Sequence, residues 1–315
     1  MGQTHHPNQN MELKSIPLPL ELVLHVITCL LPKTGYFLPR SHPVTKTLLS
    51  FTMVCFETYL LARRYLREYC AYICSPFHLG SILLSIPCSP GNQLRNIRSL
   101  YLAPFKTTID DLPVALWMRE LLFYTSSTLK RLVIDIPLGS VRAEEDRLDV
   151  RRVLRDGFAR LNQLEEFVSV QDDLSLDLVW TSEKNFVWRQ WPKLKRLALH
   201  DANLSRQFWN NIGESASLEM LVLVRPNSLR DTLGMVENSG LFSEGRSLRL
   251  LLVDAGNNAF PDIATSRRNE ARCKKESQIV RHDLGFSFND INAGKMCQEW
   301  VKARCVDNTL WSFNC

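Results

Sequence analysis

Six short segments with the spacing L-x-x-L-x-L constrain the fold more than any other feature of the 315-residue chain. They start at Ile97, Leu129, Leu164, Leu194, Leu218 and Leu248, between 24 and 35 residues apart, with the weakest copy at Leu164-Glu165-Glu166-Phe167. Apolar residues two apart line one face of a strand, so each segment predicts a short strand with a leucine-rich inner face. Between the segments, apolar residues recur at helical spacing over Val114 to Tyr124, Leu148 to Leu161, Arg206 to Ile212 and Arg230 to Val236. Strand and helix alternate. No single unit could bury its own apolar face, so neighbours must stack to form a shared core. A non-repetitive α/β layer with the same strand rhythm is the alternative.

A second pattern precedes these segments. Leu18-Pro19 opens a helix, because proline fits the first turn, where its missing N–H would have no intrahelical partner. Glu21 adds a carboxylate where the helix dipole favours one, and Leu22, Val26, Ile27 and Leu30 recur at helical spacing. Pro32 and Gly35 end that helix, a connection with Pro39 and Pro43 follows, and a second run carries Leu48, Leu49, Phe51, Val54 and Cys55. Residues 16 to 66 hold more apolar side chains than so small a helical unit can bury, which points to another protein as partner.

The order Leu18, Pro19, Glu21, Leu22, Val26, Ile27, Leu30, with Val54-Cys55 and the aliphatic run ending at Leu66, resembles the F-box over about a sixth of the chain. The later segments resemble the degenerate leucine-rich repeats that often follow an F-box. Leu194, Leu197, Leu199 and Leu204 match best, although Ala202 stands where that repeat prefers Asn or Cys. Together these resemblances imply an α/β protein: a small N-terminal helical F-box-like unit followed by an irregular leucine-rich-repeat-like α/β solenoid. The expected boundaries are a disordered tail over 1–13, the F-box-like unit over 14–70, a linker or first cap over 71–93, the repeat-like domain over 94–260, and a basic segment and cap over 261–315. By the F-box resemblance, Leu18, Pro19, Leu22, Ile27, Leu30 and Val54 would fill the groove of a Skp-type adaptor in a cullin-type ubiquitin ligase, and the repeats would present an unidentified protein substrate.

If the strands line an open face, the positions alternating with the leucines are exposed. Candidate substrate contacts on that face are Tyr101, Arg131, Asp135, Arg196, His200 and Asp254. Met220, Val222, Leu250 and Leu252 would share it, either beneath a C-terminal cap drawn from residues 286 to 315 or as an apolar binding patch.

Charge and motifs narrow the remaining classes. The formal net charge is +5, with basic and acidic residues interspersed, so nucleic acid is not expected as a partner. The basic stretch from Arg267 to Lys275 is a solvated face or a localisation signal. No apolar run reaches a membrane span, no basic region precedes the stretch at Ile16, and His6 breaks the myristoylation pattern. Nine cysteines, an odd number in apolar contexts, suit reduced thiols, hence cytoplasm or nucleus. Gly240 to Ser247 mimics a phosphate loop, but Arg246 replaces its lysine and a strand follows where a helix is needed. Cys273, His282, Cys297, Cys305 and Cys315 lack the short spacing of a zinc site. The pairs Asp110-Asp111 and Asp172-Asp173 adjoin no base or nucleophile and read as loop or capping residues. The expectation is a non-enzymatic substrate adaptor without cofactor or metal; the alternative is a repeat-based interaction scaffold without a ligase.

Overall fold

The computed structural model describes residues 18–32, 37–85, 97–174, 176, 186–225, 248–254, 279–284 and 293–312. Three helices come first: α1 (Leu20–Cys29), α2 (Pro43–Phe51) and α3 (Phe56–Tyr69). Eight strands follow: β1 (Tyr72–Ile73), β2 (Ser99–Leu102), β3 (Arg131–Ile134), β4 (Glu166–Ser169), β5 (Arg196–His200), β6 (Met220–Val224), β7 (Arg249–Asp254) and β8 (Ile279–Asp283). Among the described residues, the connections hold α4 (Pro76–Leu84), α5 (Leu112–Thr125), α6 (Val150–Ala159) and α7 (Arg206–Glu214), and α8 (Ala293–Val306) comes last. All eight strands form one parallel sheet in the order β1 to β8.

Helix starts follow from capping chemistry. Asp111 accepts from Val114 N–H at 3.2 Å to open α5, and Asp146 accepts from Val150 and Arg151 N–H, both at 2.8 Å, to open α6. Ser75 and Ser205 do the same for α4 and α7, with Pro76 at the first position of α4. Helix α6 sits so close to α5 that a Cβ on Gly157 would lie 3.1 Å from Arg119 Cα, which accounts for glycine there.

The two-part architecture expected from the sequence is corrected. One sheet runs from Tyr72 to Asp283, taking its first strand from the expected linker and its last from the expected C-terminal segment. A solenoid of the expected kind leaves the alternate strand positions on an open face, whereas this sheet is covered on both sides. Leu100, Leu132, Phe167, Leu197, Leu221 and Leu250 pack under α4 to α7 in one layer. Tyr101, Val133, Val168, Ala198, Val222, Leu251 and Val253 pack on the other side with Ala293, Cys297, Val301 and Cys305 of α8. An all-parallel sheet with both faces covered needs strands apolar at successive positions, as in Met220-Leu221-Val222-Leu223-Val224, where every residue is buried.

Strand register also corrects the reading of the last segment. Leu221 pairs with Leu250 and Leu223 with Leu252, so Leu250 and Leu252 face the α4–α7 layer while Leu251 and Val253 face α8. A one-residue offset reverses every side chain of the strand. The expected helix at Arg230 to Val236, the phosphate-loop mimic at Gly240 to Ser247, the basic stretch at 267–275 and the tail at 1–13 lie outside the described residues.

The three N-terminal helices have a small core of their own, Ile27, Leu48 and Ala62, with Val23, Leu24, Phe51, Leu61 and Tyr65 partly buried around it. They are also tied to the rest of the chain: Phe37 N–H, in the α1–α2 connection, donates to Val306 O of α8 at 3.2 Å, and α3 leads within three residues into β1.

Candidate functional site

Helix α1 divides its apolar residues between two faces. Val23 and Ile27 point into the small core, while Leu18 (58% exposed), Leu22 (50%) and Val26 (45%) stand open. Positions 22 and 26 are four apart and share the outer side of the helix, and Leu18 precedes its N-cap Pro19. A second open group surrounds the α2–α3 turn: Leu49, Met53 (87%), Val54 (63%), Phe56 (68%) and Leu60. The turn is held by a reciprocal cap, in which Cys55 N–H donates to the Thr58 hydroxyl at 3.0 Å and the same hydroxyl lies 3.4 Å from Cys55 Sγ. Scattered apolar surface is ordinary, whereas here the exposed apolar side chains are concentrated on one small unit.

Of the residues expected to meet an adaptor, Leu18, Pro19, Leu22 and Val54 are exposed and Leu30 is half-buried. Ile27 is fully buried against Leu48 and Ala62 and holds the unit together instead. Val26, Met53, Phe56 and Leu60 were not among the expected contacts. The spacing of four between Leu22 and Val26, and between Phe56 and Leu60, is the signal that could have found them.

The expected substrate face is largely interior. Tyr101, Arg131 and His200 are buried, Asp135 and Arg196 are half-buried, and Asp254 pairs through its backbone with Asp283 at the end of β7. The Tyr101 hydroxyl donates to Asp135 Oδ2 at 3.0 Å, Gln171 Nε2 donates to Asp135 Oδ1 at 2.6 Å, and Lys302 Nζ of α8 lies 3.0 Å from Oδ2. Burial and the adjoining Asp135 charge raise the Tyr101 pKa, which keeps the phenol a donor. Burial pulls the His200 imidazole toward its neutral form. Tyr101, Asp135 and Lys302 join α8 to the sheet.

At the opposite ends of the strands, the parallel register builds a ladder of alternating charge. Arg131, Glu166 and Arg196 stand side by side, with Arg131 Nε 3.3 Å from Glu166 Oε2 and Arg196 Nη1 donating to Oε1 at 2.7 Å. One residue earlier, Lys130 Nζ donates to Glu165 at 2.7 Å and Lys195 Nζ approaches the same carboxylate at 3.5 Å. Alternating signs on adjacent strands avoid the like-charge contacts that a parallel register would otherwise stack. A cleft of about 280 Å³ opens here between Pro32, Glu68, Arg98, Lys130, Glu165 and Asn308. Its basic and acidic side chains are paired with one another, with Arg98 Nε at 3.9 Å from Glu68 Oε1.

The hydrogen bond from Lys130, opposed by partial burial and helped by the Lys130 and Lys195 charges, holds the Glu165 carboxyl below its ordinary pKa. A carboxylate lowered on folding stabilises the fold above its unfolded pKa of about 4.3, and that contribution disappears as pH falls through the folded value. Glu165→Gln is therefore expected to lower stability at neutral pH by a small amount, set by solvent screening at this partly exposed site. The difference from the parent should vanish in acid, as read by urea unfolding at a series of pH values. A difference that persists undiminished in acid would assign the effect to packing.

Among the described residues, no three His, Cys, Asp or Glu side chains gather as a metal site, and no helix is long and apolar enough to cross a membrane. Cys297 and Cys305 belong to the apolar layer under α8, where burial pushes the Cys305 thiol up to about 12. Cys273 and Cys315 lie outside the described residues.

No family model matches the chain, and no curated protein matches it. Among solved structures, a D-psicose 3-epimerase from Clostridium cellulolyticum H10, determined with D-tagatose, is similar at a TM-score of 0.25 and 12% identity, over 80% of this chain and 98% of that one. A likeness at that level carries no argument about fold or activity.

Proposed function

We propose that the three N-terminal helices dock on a Skp-type adaptor and that the chain thereby recruits a protein substrate to a cullin-type ubiquitin ligase. The observation that supports this reading is the set of open apolar side chains, Leu18 just before α1, Leu22 and Val26 on it, and Met53, Val54, Phe56 and Leu60 around the α2–α3 turn. The match of Leu18-Pro19, Glu21-Leu22 and Val54-Cys55 to the F-box pattern falls within this same unit. The chain itself supplies no chemistry in this reading. Holding a substrate lysine near the conjugating enzyme raises its effective concentration, which suffices for transfer.

An interaction protein without a ligase is the second reading. Its amphipathic N-terminus would cap the rest of the chain, which requires Leu18, Leu22 and Leu30 to be covered by residues 70 to 102. The exposure of Leu18 and Leu22 weighs against it.

The test is capture of purified Skp-type adaptor by the intact chain and by the combined Leu18→Ala, Pro19→Ala and Leu22→Ala variant. All three positions are exposed, so the variant should unfold at nearly the same denaturant concentration as the parent. Binding is expected to fall at least 100-fold, since truncating buried central anchors typically costs 2 kcal/mol or more each. No capture by the intact, folded chain would sink the reading.

A further inference from the structure

We propose that α8 is a cover that acid releases: protonation of His200, buried beneath the first turn of the helix, detaches the N-terminal half of α8 from the sheet. Among the described residues, His200 is the one fully buried histidine. It ends β5 on the same face as Ala198, which α8 covers, and pairs with Val224 of β6. The backbones of Gln171 and Gly294 adjoin its ring.

The surrounding charges leave little room for another cation. Asp201 Oδ2 lies 3.6 Å from His200 Nδ1, but the same carboxylate also faces Arg225, whose Nε is 4.0 Å from Oδ1. Arg225 in turn lies against α8, where a Cβ on Gly294 would sit 2.5 Å from Nη1. The first turn of α8 carries no acidic residue and does carry the exposed Lys295. A helix N-terminus is the positive end of the helix dipole and favours anions. An imidazolium would add a second buried cation there, opposed by one carboxylate that Arg225 already shares. Burial above all disfavours the charged ring; Asp201 works against that tendency, and Arg225 reinforces it.

Release returns the ring to water, where the ordinary imidazole pKa is about 6.5, so release takes up a proton. The hold on α8 is complete above that value and weakens as pH falls through it toward the lower value of the covered ring. Neighbouring polar groups do not share this response. Arg131 and Lys302, which fasten the second half of α8 through Cys305 O and Asp135, keep their charge in acid. Asp172, whose backbone carbonyl accepts from His200 N–H at 3.4 Å, has its carboxyl pKa raised chiefly by burial, so its protonation favours the folded form. The first half of α8 therefore opens before the second, uncovering the layer that Ala293 and Cys297 share with Val222, Val224 and Val253.

The experiment follows amide exchange, corrected for the intrinsic effect of pH, between about pH 7.5 and 5.5 in the intact chain, His200→Gln and His282→Gln. His282 is the control because it also meets α8, with its ring 5.3 Å from Trp300. Opening of residues 293–301 in the intact chain should rise about fivefold or more on acidification while α5 stays unchanged. That rise should disappear in His200→Gln and persist in His282→Gln. NMR of the intact chain supplies a readout that needs no variant: the His200 ring should take up its proton below about pH 6.5. A ring that protonates at or above that value overturns the inference. So does opening that ignores pH, that rises equally in α5 and α8, that keeps its pH response in His200→Gln, or that loses it in His282→Gln.

Discussion

Phe167→Ala is expected to remove about 3–5 kcal/mol of stability, the range for truncating a buried aromatic side chain to alanine. Phe167 lies on β4, in the middle of the sheet, and is fully buried. Its ring meets Trp191 at 4.9 Å and stands edge-on to Phe158 at 6.3 Å. Trp191 is itself fixed by donating its indole N–H to Phe158 O at 2.8 Å, so it cannot swing freely into the space left behind. A cavity that cannot collapse keeps both the transfer loss and the cavity loss. Urea unfolding should show a lower midpoint at an unchanged slope. The control is Phe56→Ala, an equally large side chain that is 68% exposed, where a change within about 0.5 kcal/mol is expected. Equal losses at the two positions would mean that the open apolar surface of α2 and α3 is covered in solution by part of this chain, which would remove the main support for docking.

The contrast between these two phenylalanines also shows where the sequence was legible. Each of the six L-x-x-L-x-L segments supplies one strand, because a leucine spacing of two reports a strand whatever layer it enters. The same spacing says nothing about the opposite face. A C-terminal cap from residues 286 to 315 over Met220 and Val222 was one of the two sequence readings and is what α8 supplies. A strict period of two, however, put Leu250 and Leu252 on that face and missed the unbroken apolar runs Met220 to Val224 and Leu250 to Val253 that mark a sheet covered on both sides. Which residues within 286 to 315 do the covering was harder to read. Helix α8 presents Ala293, Cys297, Val301 and Cys305, a stripe four residues apart built mostly from small side chains, which gives little amphipathic contrast. Strands β1 and β8 were missed for a related reason: Tyr72–Ile73 is two residues long, and Ile279–Asp283 carries Arg281, His282 and Asp283, so neither reads as an apolar run.

At the exposed apolar surface of the N-terminal helices, residue types were legible and orientation was less so. The sequence marks Leu18, Leu22, Val26, Ile27 and Leu30 as apolar at helical spacing, but which of them face inward depends on where α3 lies. Thr28 Oγ1 sits 3.5 Å from the Tyr65 hydroxyl, which puts the Ile27 side of α1 against α3 and leaves Val26 outside. A single residue of rotation separates a core position from a contact position.

Arg131 joins three parts of the chain that lie far apart in sequence, and Arg131→Ala is expected to cost about 3 kcal/mol, the low end of the range for removing one partner of a buried ion pair. Its side chain is almost wholly buried. Nη2 donates to Cys305 O in α8 at 3.1 Å, Nε faces Glu166 Oε2 at 3.3 Å, and the guanidinium lies 4.5 Å from the centre of the Phe37 ring. Burial alone disfavours the charged form of Arg131, and the neighbouring Glu166 opposes that tendency. Alanine would leave the Cys305 carbonyl without this donor and the Phe37 ring without its cation. Glu166 would keep Arg196 at 2.7 Å, which is why the loss should stay near the lower bound. Arg131→Lys keeps the charge but not the fork that reaches Cys305 and Glu166 together, so most of the loss should persist. The effect should also appear as faster amide exchange in α8 than in α5, because Arg131 holds α8 and not the helices on the other face. Exchange that rises equally in α5 and α8 would show that Arg131 supports the sheet as a whole, and the assignment of Arg131 as the residue that secures α8 would then fail.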